Sequence, residues 1–143
     1  MNMKTINVIH IPYTSANPYQ TLLMEGLKKL GLSVKGEKFS QFPIPIFAIS
    51  ILLNMKEWKP DIIHFHWQHS FLIIAKFKKL RSVLSVFKSV IFILQLLILK
   101  IMGIKIVWTV HNIKSHENYC KRTEMFFTLI LAQLADSIIA HCE

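Results

Sequence analysis

Five short apolar runs, spaced by segments long enough for a helix, constrain this chain more than any other feature. They are INVIHI at Ile6–Ile11, SVKGEKF at Ser33–Phe39, DIIHFHW at Asp61–Trp67, KIVWTV at Lys105–Val110 and SIIAH at Ser137–His141. Short runs rich in β-branched side chains read as buried strands. The segments between them carry helix punctuation. Asn17 is placed as an N-cap, Pro18 as the first helical residue and Gly31 as the residue past the end, with Leu22, Leu23, Leu27 and Leu30 on one stripe. A second helix is expected over Ala48–Glu57, closed by Lys59–Pro60, after an extended QFPIPIF. A long helical region follows Trp67, broken near Leu80–Ser82 and ending at Gly103, and a last helix is expected over Tyr119–Leu134. Strands that alternate with helices run parallel through right-handed crossovers. The expected fold is therefore α/β: one Rossmann-like domain over residues 1–143, an open parallel sheet with helices on both faces.

A chain of 143 residues with 52% hydrophobic composition can bury one real core and is not a disordered chain. Its net charge of +9 favours an anionic partner, whether a membrane surface, a nucleotide phosphate or a nucleic acid. The N-terminal apolar run is too short for a secretory signal, and Cys120 and Cys142 form no metal or redox spacing, so a reducing, cytoplasmic setting is expected. The segment Ser82–Gly103 admits three readings: a buried crossover helix, a helix lying against a membrane, or a span. Its longest uncharged piece, Ser89–Leu99, is 11 residues, against the roughly 20 that a span requires. Lys76, Lys78, Lys79, Arg81 and Lys88 precede or flank the apolar run and are candidates to meet anionic lipid at the inner face of the cell membrane.

Ligands of open α/β sheets bind outside the carboxyl ends of the strands. All seven histidines, His10, His64, His66, His69, His111, His116 and His141, fall at or just beyond such an end. HFHWQH has the spacing H-x-H-x-x-H, close to that of metallo-hydrolases of the β-lactamase type, with Gln68 where that motif carries Asp. That motif belongs after antiparallel strands, and carboxylates near the expected crevice are few, so no metal is assigned. His64 is expected to be packed or hydrogen-bonded behind the sheet. Four glycines make neither G-x-G-x-x-G nor a P-loop. The aromatics lie mostly in apolar runs, and no nucleic-acid motif is present.

Four segments, ANPYQTLLMEGLKKLGLSV, KPDIIHFHW, GIKIVWTVHNIKSHE and ADSIIAHCE, resemble in order and spacing the N-terminal domain of GT-B glycosyltransferases. The resemblance is to the large retaining class that includes sucrose synthases and many bacterial polysaccharide and lipopolysaccharide transferases. It implies an acceptor-side domain that works with a C-terminal nucleotide-sugar domain, on a lipid-linked or polysaccharide acceptor. By that resemblance His111 contacts the donor sugar near the reacting carbon and Asn112 shapes its turn. His66 and Trp67 line the acceptor side, His116 joins the substrate contacts, and Glu117 binds an acceptor hydroxyl or acts as a base. Ser15, Ala16 and Asn17 occupy the loop where many members carry a glycine pair beside the donor phosphates, a pair missing here. The second domain, with its E-x7-E motif and its diphosphate-neutralising Lys or Arg, is not found in these residues, so no cofactor is assigned to the chain. The donor nucleotide-sugar is expected on a second domain or subunit, and transfer by the chain alone is not expected. Two other readings stand beside this one: a non-catalytic anchoring subunit, and a metal-dependent hydrolase.

Overall fold

The computed structural model describes residues 5–38, 47–75, 77–111 and 119–140. In chain order the elements are β1 (Asn7–Ile11), α1 (Pro18–Lys29), β2 (Ser33–Gly36), α2 (Phe47–Asn54), β3 (Ile62–Phe65), α3 (His69–Leu72), α4 (Arg81–Ile101), β4 (Lys105–Val110), α5 (Lys121–Leu134) and β5 (Ser137–Ala140). All five strands join one parallel sheet in the order β2-β1-β3-β4-β5. The expected α/β open sheet is present, with helices on both faces. The order turns back on itself at β1, which has β2 on one side and β3 on the other, so the topological switch point lies between β1 and β3.

The two faces of the sheet are unequal. Ile9, Ile11, Ile63, Phe65, Ile106 and Trp108 point to the face covered by α2, α3, α4 and α5, where Phe47, Phe71, Phe92, Leu96, Leu99, Phe127 and Leu131 complete the main core. Phe47, Phe65, Phe71 and Phe92 form one aromatic cluster with ring centroids 5.1–5.8 Å apart, a spacing that suits edge-on and offset contacts. The opposite face carries a smaller cluster in which Val8 and Val34 meet Met24 of α1. Because side chains alternate along a strand, His10, His64 and Thr109 share this second face with Val8.

Two aspartates fix the strand starts. Asp61 accepts from the Asn7 amide at 3.0 Å, and Asp136 accepts from the Ile106 amide at 2.9 Å. The Ile106 N–H, ahead of Lys105 and Lys100, holds the Asp136 carboxyl below the usual carboxylate range. Both residues therefore serve the edge opposite the histidines.

The start and stop of α1 follow the sequence signals. The Asn17 Oδ1 accepts from the Tyr19 amide at 3.0 Å, Pro18 opens the helix, and Gly31 takes φ +84° just past its end. The inward stripe differs from the expected one. Gln20 and Met24 are buried, whereas Leu22 and Leu30 face outward. The break expected near Leu80–Ser82 is where α4 starts, at Arg81, and the helix before it is shorter than expected, since α3 is a single turn. By length and composition α4 could cross a bilayer. In this fold it is the crossover between the adjacent parallel strands β3 and β4, with Phe92, Leu96 and Leu99 packed into the core. The expected QFPIPIF extension and most of the HNIKSHE loop lie outside the described residues.

Lys88 corrects one expectation. It does not face outward with the other basic residues: it is buried, and its ammonium donates to the carbonyls of Ser70 (2.7 Å) and Ile73 (3.2 Å) at the end of α3. Its place in the helix decides this, because Ser85, Lys88, Ser89, Phe92, Gln95, Leu96 and Leu99 form the buried side of α4. Burial lowers its pKa to about 8.

Candidate functional site

Four imidazoles meet at the carboxyl edge, beside the switch point. His10 lies in β1 directly opposite His64 in β3, His66 follows β3 by one residue, and His111 follows β4. The ring centroids are 4.8 Å apart for His10–His64, 4.4 Å for His64–His66 and 5.8 Å for His66–His111. His10 Nδ1 and His66 Nε2 share a hydrogen bond of 3.0 Å, and His64 Nε2 shares one of 2.6 Å with the hydroxyl of Thr109. The expectation that His64 is hydrogen-bonded behind the sheet agrees with this placement.

His10, His64 and His66 are buried. Removal from water disfavours the charged ring, and burial lowers His10 to about 4. His64 falls to about 3, by burial first and then by the proximity of His10 and His111. Both rings are neutral near pH 7.

The outer layer of the site is aromatic. Trp67 stacks on His111 with centroids 5.1 Å apart and planes 15° from parallel. Tyr19, at the start of α1, meets His111 edge-on at 5.1 Å and His66 edge-on at 6.0 Å. The loop from β1 to α1 is pinned by Gln20, whose side chain accepts from the Thr14 amide at 2.9 Å and donates to the Pro12 carbonyl at 2.7 Å.

The predicted site residues divide accordingly. His111 and Trp67 are half-buried at the rim. His66 is not at the rim: it is 0% exposed, because the first residue past β3 continues the strand's inward side and lies beneath Trp67 and Tyr19. Ser15 is exposed, and the Asn17 side-chain oxygen is occupied in capping α1. Asn112, His116, Glu117 and Lys76 lie outside the described residues, as does His141. Sequence reasoning placed His10 at this edge but gave it no role, and it passed over Tyr19 and Thr109. Thr109 lies in β4 two residues before His111, so the strand-end rule applied to the histidines would also have found it.

One nitrogen from each of His10, His64 and His66 lies within 4.8 Å of the others, an arrangement able to hold a metal ion. The set differs from the H-x-H-x-x-H reading, since His69 opens α3 and His10 takes its place. No carboxylate belongs to this set, two nitrogens are engaged with each other, and a third is held by Thr109. Three imidazoles are a donor set able to hold zinc, and an ion there would replace the His10–His66 and His64–Thr109 contacts. A hydrogen-bonded imidazole stack accounts for the geometry.

No family model, no curated protein and no solved structure matches this chain. The site therefore rests on its own geometry.

Proposed function

We propose that this chain is the acceptor-side domain of a GT-B-type glycosyltransferase, with its acceptor crevice at the carboxyl edge of β3 and β4. The Trp67–His111 stack, walled by Tyr19 beside the switch point, is the observation that carries this reading. The resemblance of TVHN and its neighbouring segments supports it. An indole face packs on the apolar face of a sugar ring. The His111 imidazole hydrogen-bonds a sugar hydroxyl and helps to stabilise charge that develops as a glycosidic bond loosens. The buried His10 ring, lowered to about 4 by its removal from water, adds no charge to the floor of the crevice near pH 7. Stabilisation of a departing diphosphate belongs to a second domain or subunit, which also holds the nucleotide-sugar.

The test is titration of the chain with neutral oligosaccharides, followed by tryptophan fluorescence and ligand-observed NMR. Saturable binding that falls at least tenfold in Trp67→Ala is the expected result. Sugar binding that is absent, or is unchanged in both Trp67→Ala and His111→Ala, overturns the reading.

A further inference from the structure

The polarity of α4 is inverted. Its polar side chains point inward: the Ser85 hydroxyl accepts from the Ile74 amide at 3.0 Å, Ser89 donates to the Leu72 carbonyl at 3.0 Å, and the Gln95 side-chain oxygen accepts from the Ala48 amide at 3.1 Å. Lys88 points the same way. Outward, the only exposed polar residue of the helix is Ser82 in its first turn. The remaining exposed positions are Val83, Val86, Phe87, Val90, Leu94, Leu97, Ile98 and Ile101, with Val83 69%, Phe87 56% and Leu94 52% exposed. A helix on a water-facing surface carries the opposite arrangement. Its neighbour α5 extends the patch with exposed Met125, Phe126 and Leu129.

The border of this face is basic. Lys78 and Lys79 are exposed just before α4, and Lys121 and Arg122 are exposed in the first turn of α5. The Arg81 guanidinium lies 3.9 Å from the centroid of the Tyr119 ring, which brings the two helix starts together. Among the described residues from 77 to 134, the single acid is Glu124, and it is buried. Both helices start at the carboxyl edge, because each returns the chain to the start of the next strand.

We propose that the outward face of α4 and α5 docks on an anionic membrane, with the apolar stripe entering the headgroup–acyl boundary. Lys78, Lys79, Arg81, Lys121 and Arg122 contact the lipid phosphates. Lipid matches both halves of the observation, since acyl chains require no polar partners and anionic headgroups complement the basic border. A paired helix fits less well. The exposed positions 83, 87, 90, 94, 97 and 101 have heptad-like spacing, but the flanking positions include Val86 and Ile98, where a helix pair carries the charges that set its register. Trp67 and His111 lie at the carboxyl edge, where both helices start. The surface stands independently of the sugar reading, because it involves neither of those residues.

Flotation of the chain with phosphatidylcholine vesicles, with and without phosphatidylglycerol, tests the proposal. Binding is expected on the anionic vesicles and is expected to weaken with salt. Phe87→Ser with Leu94→Ser should lower partitioning at least tenfold while the melting temperature and circular dichroism stay unchanged. Lys79→Glu with Arg122→Glu should abolish the preference for anionic lipid. In Phe87→Trp, brominated acyl chains should quench more emission than in the parent chain. The proposal is overturned by no binding to either vesicle, by binding indifferent to both double variants, or by no added quenching. It is equally overturned if the chain instead self-associates through this face, with Phe87→Ser and Leu94→Ser dissolving the oligomer.

Discussion

His10 and His64 sit opposite one another on β1 and β3, buried and with rings 4.8 Å apart, and this makes stability depend on acidity. Burial depresses both values, to about 4 and about 3, so below pH 6.5 the unfolded chain binds more protons than the folded one. Stability then falls as pH falls. Two such groups are expected to remove roughly 3–4 kcal/mol between pH 7 and pH 5. Urea denaturation at the two pH values measures the loss, and His64→Gln should flatten the dependence by about half. Gly36 gives a second single-residue test. A Cβ there would overlap the Tyr13 ring, so Gly36→Ala is expected to cost about 1–3 kcal/mol. Gly26→Ala, where a Cβ meets open space on α1, should instead stabilise by roughly 0.5–1 kcal/mol. Denaturation midpoints of the two variants should move in opposite directions. The strand-end positions of these histidines were legible in the sequence, since strand periodicity alone locates them. Their depth was not. Whether His66 lies at a rim or beneath it depends on Tyr19 and Trp67 closing over it, contacts made between elements distant in the chain.

Among the elements, α4 shows how a correct outline can conceal the direction of its faces. The sequence marks a long apolar helix ending at Gly103, and α4 does end just before it, with Gly103 at φ +78°. Both of its sides are rich in aliphatic residues, so periodicity could not tell which one meets the sheet. The polar residues decided it in the direction opposite to the usual rule, because the turn after β3 presents carbonyls and amides that Ser85, Lys88 and Ser89 satisfy. Lys88→Met leaves the carbonyls of Ser70 and Ile73 without their donor, and a loss of about 1–3 kcal/mol in chemical denaturation is expected. Lys88 is lowered from 10.5 to about 8, so the unfolded chain binds more protons between these values. Its contribution to stability therefore grows as pH rises through that window, and the methionine variant should lose this rise. On α1, Leu22 and Leu30 of the leucine stripe face outward. Beside the buried Met24, the inward side carries Gln20, whose amide holds the preceding loop, a use of a polar side chain that hydrophobic patterning does not anticipate.

For the molecule as a whole, the strong alternation of strand and helix made the parallel sheet readable in advance, and the Asn17–Pro18 start, Gly31 and Gly103 marked the ends of α1 and α4. The assembled crevice was less readable, since it draws on β1, β3, β4 and α1 at once. The proposed transferase role carries its own expectation. No transfer from a labelled nucleotide-sugar should occur with the chain alone, and transfer should appear when a nucleotide-sugar-binding domain is supplied. Product formation in both assays checks this, and His111→Ala should abolish what the supplied domain restores. One further consequence comes from the strand order β2-β1-β3-β4-β5. After the β1-α1-β2 unit has formed, each later strand joins the same growing edge in the order in which it is translated. An emerging chain can therefore add β3, β4 and β5 in turn, each docking on a neighbour already made, without having to open a finished pair.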